Sequence, residues 1–276
     1  MPSRTRLHPL TVGTIALSFH RGTAAVVRRI LEAYGHPVSV VEAPHEELFR
    51  RQAAGEIDFL VSAWLPSSHE KYLAGHRDEV TVLAPHYEPY CIWAVPPYVP
   101  ASEVAEVGDL TRPDVAERMT RVIDGINPGA GISRFSARMV VNYGLDRAGY
   151  RFAPGDEAGF VARVERGLAR RERFVIPLWR PQYLNRRHAL RPLAEPKGLL
   201  GSVDAASPVV RRDALERIHP EALAGLAAFE PGNDGVEDLD VLINVDGLTP
   251  LQAADRYLAA NPHLLPPYAP TCPART

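Results

Sequence analysis

The sequence predicts an α/β fold built from two similar units, and three observations carry that expectation. Strand-like and helix-like segments alternate as βαβαβ over residues 10–65, a comparable alternation recurs over residues 122–178, and a stiff proline-rich segment lies between them. Apolar residues make up 46% of the chain and charged residues 23%, the balance of a globular protein rather than of a disordered or fibrous one.

Leu10 to Ser18 reads as the first strand. After the Ser-Phe-His-Arg-Gly segment, Val26, Ile30 and Tyr34 recur at helical spacing up to Gly35, which suits the left-handed position after a helix. Val38 to Glu42 is the next strand, Glu46 to Ala54 a helix, and Ile57 to Ala63 a buried strand that delivers Trp64-Leu65-Pro66 at its carboxyl end. The second unit starts with a short strand at Val122 to Ile126, the turn Asn127-Pro128-Gly129-Ala130-Gly131 and a helix from Ser133 to Tyr143. Asp156 to Arg171 has the acidic start and basic end that a helix macrodipole favours, and the strand Phe174 to Leu178 follows. Pro96-Pro97-Tyr98-Val99-Pro100 reads as a crossover, with the return near Leu200 to Ala206. The expected division is therefore residues 1–95 with 205–276 in one discontinuous lobe and 96–204 in the other. The remaining chain reads as helices at Pro220 to Phe229, Val236 to Asn244 and Leu251 to Ala260. The last is marked by Thr249, Pro250 and Gln252 in a capping-box pattern, and the tail after Pro266 reads as loose.

Several function classes are disfavoured. Thirty-one basic residues balance thirty-three acidic ones with no long run of either sign, so no electrostatic footprint for nucleic acid is expected. No apolar run approaches the length of a membrane-spanning helix. Cys91 and Cys272 fit neither a metal spacing nor a disulfide framework, and neither a metal nor a cofactor is expected. The N-terminal segment lacks the pattern of a secretory signal. That gives a cytoplasmic expectation for the chain as it stands, and a periplasmic or extracellular one for a chain whose leader has been removed.

Two strand-to-helix turns, Phe19-His20-Arg21 and Asn127 to Gly131, place helix N-termini where an anion such as a carboxylate can be held; the same glycines also serve simply to make tight turns. The second turn is not a Walker loop, because no Gly-Lys-Ser/Thr follows it. Two of the three tryptophans, Trp64 and Trp179, each follow a buried strand and precede a proline by two positions. Strand carboxyl ends are where open α/β sheets bind ligands, and an indole face attracts a quaternary ammonium by about 0.5–2 kcal/mol. Core packing is the competing reading of both rings. Trp93, within an apolar strand, is expected to pack between layers, and His69 reads as a helix start. The arginines 163, 166, 170, 171 and 173 read as a solvated helix face.

The segments Trp64-Leu65-Pro66-Ser67-Ser68-His69, Ile92 to Val95 with Pro96-Pro97-Tyr98-Val99, Ile126 to Ile132 and Trp179-Arg180-Pro181-Gln182-Tyr183 occur in an order and spacing that resembles the glycine betaine/choline-type substrate-binding proteins of ABC transporters. Val140 to Leu145, Asp156-Glu157-Ala158 and Ala253 to Leu258 add to the resemblance, which covers about residues 10 to 265. It implies a two-lobed type II periplasmic-binding-protein fold with the ligand cleft between lobes. It also implies an aromatic cage around a methylated ammonium, a carboxylate held by backbone amides and a polar side chain, and an ABC permease as partner. Carried onto this chain, Trp64 and Trp179 are cage walls and Phe19, His20 and Arg21 lie at the cleft, with Gly129, Ala130, Gly131, Gln182 and Tyr183 as further ligand contacts. Gln182 and Tyr183 stand where the family commonly has His followed by an aromatic residue.

The expected function is thus binding of a betaine-like or quaternary-ammonium solute. A cytosolic enzyme of lyase or dehydratase type on the same fold is the alternative, with His20 and Cys91 as candidate groups and Glu88 or Asp124 as acid or base; a ligand sensor using the same site is a third reading.

Overall fold

In the computed structural model, which describes residues 7–266, the chain forms two compact units, residues 1–88 with 205–276 and residues 89–204. The first unit holds β1 (Leu10–Ile15), α1 (Ser18–Ala33), β2 (Val38–Ala43), α2 (His45–Ala53), β3 (Phe59–Leu65), α3 (Glu70–Leu73) and β4 (Val80–Val82). The second holds β5 (Tyr90–Val95), α4 (Pro113–Ala116), β6 (Val122–Asp124), α5 (Gly131–Asn142), β7 (Arg151–Ala153), α6 (Glu157–Ala169), β8 (Ile176–Arg180), α7 (Leu184–Arg187) and β9 (Arg191–Pro192). The chain then returns to the first unit with β10 (Ala205–Arg211), α8 (Arg212–Leu215), α9 (Pro220–Ala227), α10 (Gly232–Asn244) and α11 (Pro250–Ala260). The proline-rich tail expected to be loose lies outside the described residues, as does Cys272.

The first unit is a five-stranded sheet in the order β2-β1-β3-β10-β4. β1 runs parallel to β2 and β3, whereas β10 is antiparallel to β3 and β4. Helix α1 begins at Ser18, three residues after β1 ends, and Gly35 follows it with φ +98°, the left-handed conformation that only glycine adopts without cost. Val26, Val27, Ile30 and Leu31 of α1 are fully buried against Leu10, Val12, Phe59, Val61 and Val210 of the sheet, with Leu226, Leu239 and Leu258 of α9, α10 and α11 in the same cluster. Burial of each such side chain contributes about 2 kcal/mol relative to exposure. On β1, a Cβ at Gly13 would lie 2.7 Å from Leu60 and 2.9 Å from Ile57, so glycine is what lets these segments approach. The predicted capping box is formed: Thr249 Oγ1 accepts from the Gln252 N–H while the Gln252 side chain accepts from the Thr249 N–H.

In the second unit, β5 is flanked by β8 and β9, antiparallel to both, and β6 pairs with β7 in parallel. Trp93 of β5 is fully buried and donates its Nε1–H to Ser136 Oγ of α5 at 2.9 Å, which pins that helix to the strand. Asp156 caps α6 by accepting from the Gly159 N–H at 2.7 Å.

Two expectations need correction. β5, read from sequence as the end of the first lobe, takes all of its strand partners from the second unit, so the division falls at residues 88 and 89. The strand's continuous apolar run carries no information about which sheet it joins. Arg163, read as part of a solvated face, is buried between Asp124 (3.3 Å) and Glu172 (2.9 Å), with its guanidinium 4.8 Å from the Phe174 ring. Asp124, a candidate acid or base, is thereby a structural counter-ion. Among the described residues, no helix is long and apolar enough to cross a membrane.

Candidate functional site

Each unit places one tryptophan at the carboxyl end of a strand and surrounds it with its own set of partners. In the first unit β3 is buried along nearly its whole length and ends at Trp64-Leu65, followed by a cis Leu65-Pro66 bond. Trp64 is 7% exposed, and its ring lies 5.7 Å from the Phe19 ring and 5.9 Å from the His20 ring, while the Phe19 and His20 rings are 4.2 Å apart. Phe19 and His20, expected in the turn before the helix, are the first turn of α1 itself, whose N-terminus has neither a side-chain cap nor an acidic residue. A helix start of this kind favours an anion.

The indole N–H of Trp64 is donated to the Tyr87 hydroxyl at 3.1 Å. Tyr87 is held beside β10 by a bridge to Ala206, and burial pushes its hydroxyl up to about 12, so it stays protonated. The hydrogen bond to Tyr87 uses the ring's one donor and fixes its edge. Burial first, then His45 and Arg21, hold the His20 imidazole well below its ordinary pKa, so it is neutral at neutral pH. Arg21, expected at the ligand, is forked onto Glu42 at the end of β2 at 2.7 and 2.8 Å, with a third of its side chain exposed.

In the second unit Trp179 ends β8 in the same manner, followed by a cis Arg180-Pro181 bond. Trp179 is 1% exposed, and its ring packs against Phe160 of α6 with centroids 5.4 Å apart. Gln182 and Tyr183 are both buried. The Gln182 amide oxygen accepts from the Leu184 N–H at 2.6 Å. Asn185 Nδ2 donates to the Trp179 and Gln182 carbonyls at 2.9 and 2.8 Å and so fixes this turn. The Asn127 to Gly131 segment closes by a hydrogen bond from the Ala130 N–H to the Asn127 carbonyl at 3.1 Å. It leads into α5, whose N-cap Ala130 provides no side-chain cap. Ser133 Oγ bonds the Ile126 carbonyl at 3.0 Å, and the Arg134 guanidinium bonds the Gly129 carbonyl.

Of the candidate groups of the enzyme reading, His20 lies in the first unit and Cys91 in the second. Burial, with Asp204 nearby, pushes the Cys91 thiol up, which disfavours the thiolate that nucleophilic chemistry requires. Sequence reasoning missed Tyr87 and Phe160 and gave His69 only a helix-start role, although His69 also hydrogen-bonds Trp64 through its ring. Tyr87 reaches Trp64 through the β3–β10 register, which no local pattern announces.

Comparison with known proteins converges on one family. The model of the substrate binding domain of ABC-type glycine betaine transport systems, OpuAC, matches residues 8–260. The glycine betaine/carnitine transport binding protein GbuC of Listeria monocytogenes is 24% identical over 149 residues, a match spanning 54% of this chain and about half, 49%, of that relative. Among solved structures, closed-liganded lactococcal OpuAC complexed with glycine betaine superposes with a TM-score of 0.82 at 23% identity, covering 93% of this chain and 97% of that one. The glycine betaine/L-proline-binding protein ProX of Borrelia burgdorferi gives 0.82 at 21% identity over 94% and 97%. An ABC-transporter choline binding protein in complex with choline gives 0.81 at 20% identity over 92% and 89%. These likenesses establish the two-lobed periplasmic-binding-protein fold, and the family match over most of its length places the chain in the substrate-binding domain family of ABC-type glycine betaine transport systems.

Proposed function

We propose that the chain binds a methylated ammonium solute of the glycine betaine or choline class and presents it to an ABC permease without chemical change. The observation that carries the reading is the paired placement of Trp64 and Trp179, each buried at a strand's carboxyl end ahead of a cis proline and each backed by a second aromatic ring. Such rings attract a quaternary ammonium through their faces, and a trimethylated cation cannot use hydrogen bonds instead. The starts of α1 and of α5, each without a side-chain cap, each suit an anionic group such as a solute's carboxylate. Relatives named for glycine betaine, carnitine and choline fall in this solute class.

A thermal-shift panel of glycine betaine, choline, carnitine and their demethylated analogues tests the reading, because a ligand that binds only the native state raises Tm. Stabilisation by a methylated solute that Trp64→Ala and Trp179→Ala each abolish supports it. Equal response to methylated and demethylated forms opposes it.

A further inference from the structure

Trp64 sits where β3 runs out of neighbours on one side. The pairing of β1 with β3 is confined to Val12 with Phe59 and Gly13 with Leu60; β1 then pairs with β2 as far as Ile15 and leads into α1 at Ser18. On the other side β10 continues, with Ala206 opposite Trp64. The Trp64 N–H is donated to Nδ1 of the His69 ring at 2.8 Å rather than to a strand, and the His69 N–H returns to the Trp64 carbonyl at 2.9 Å. Two hydrogen bonds between one pair of residues close the turn from Trp64 to His69 into a ring and fix the backbone from which the indole departs.

His69 is 1% exposed, and its ring is packed by His45 at 5.3 Å, Phe49 at 5.4 Å and Tyr72 at 6.4 Å, with the Trp64 ring stacked at 6.3 Å. Water has little access to replace Nδ1 as the acceptor for the Trp64 amide. An imidazole that accepts at Nδ1 carries its proton at Nε2 and is neutral. Its residue type is therefore chosen for an acceptor at one ring position, a demand that a helix start at α3 does not make.

We propose that His69 is a positioning residue for ligand binding: its Nδ1, by accepting the Trp64 amide, sets the direction in which the Trp64 indole faces the solute. The inference rests on the reading of Trp64 as a ligand wall, and it assigns His69 no contact with the ligand.

Isothermal titration of glycine betaine and choline into the wild type, His69→Ala, His69→Asn and His69→Gln, with a urea melt of each, tests it. Asparagine carries its side-chain oxygen near the position of Nδ1, whereas glutamine reaches toward that of Nε2. The expected result is that His69→Asn binds within about threefold of the wild type while His69→Ala and His69→Gln lose about tenfold or more. If His69→Ala does not fold, the Asn and Gln pair carries the comparison, since a merely structural role leaves the folded fractions of the two with equal affinity. An Asn variant as weak as the Gln variant, or an Ala variant equal to the wild type, overturns the inference while leaving the proposed function standing. A wild type that binds neither ligand overturns both.

Discussion

The Trp64 and Tyr87 rings meet edge to face, 86° apart with centroids separated by 6.4 Å, and the Trp64 Nε1–H is donated to the Tyr87 hydroxyl at 3.1 Å. The hydrogen bond holds the plane of an indole whose backbone is held separately by His69. On the proposed reading of Trp64 as a ligand wall, an indole fixed at both ends loses little rotamer freedom when a ligand arrives.

Tyr87→Phe keeps the ring and removes the acceptor, leaving the buried Trp64 Nε1–H without it. The expected loss is about 1–2 kcal/mol of stability by urea denaturation, with weaker solute binding by calorimetry. A variant with wild-type stability and affinity would show that the bond does not orient Trp64.

Acid should destabilise the first unit through buried histidines. His86 is 3% exposed, its ring lies 4.9 Å from Phe229, and burial lowers its pKa to about 4 despite a hydrogen bond to the Leu226 carbonyl. A lowered folded-state value means that the unfolded chain binds the proton more readily, so stability is full above about 6.5 and is lost as pH falls toward 4. His86 alone accounts for about 3 kcal/mol across that window. His20, lowered in the same direction chiefly by burial, adds to the loss. Chemical denaturation of the wild type and His86→Gln at a series of pH values checks this, with a shallower slope expected for the variant.

Arg163→Met removes a buried guanidinium from between Asp124 and Glu172 while keeping much of the packing on Phe174. Both carboxylates are about one-third exposed and can regain water, so the expected cost is about 1–3 kcal/mol, at the low end for a broken buried pair. Thermal melts measure it. An unchanged Tm would return Arg163 to the solvated face.

Thr249→Ala removes the N-cap of α11, and a loss of about 1 kcal/mol is expected in the same melts. This cap was legible in the sequence because it depends only on Thr249, Pro250 and Gln252, residues that are neighbours in the chain. The βαβαβ order of the first unit and the positions of Trp64 and Trp179 at strand ends were legible for the same reason: period and punctuation are local. What could not be read depends on distant partners. The apolar run of β5 suits either sheet, and only its pairing with β8 and β9 decides. Arg163 looks like its neighbours at 166, 170 and 171 until Asp124 and Glu172 are placed beside it. The ion pair of Arg21 with Glu42, 21 positions on, likewise depends on the pairing of β1 with β2 and is not announced locally.

The central claim is that aromatic faces at Trp64 and Trp179 select a positive charge. Calorimetric titration of the protein with choline and with its uncharged carbon isostere, 3,3-dimethylbutan-1-ol, tests it most directly, because the two share shape and apolar area and differ in charge. The account predicts that choline binds about tenfold or more tightly, and that the preference shrinks in Trp64→Ala and in Trp179→Ala. Equal affinity for the two molecules, or a preference that survives both substitutions, would contradict it.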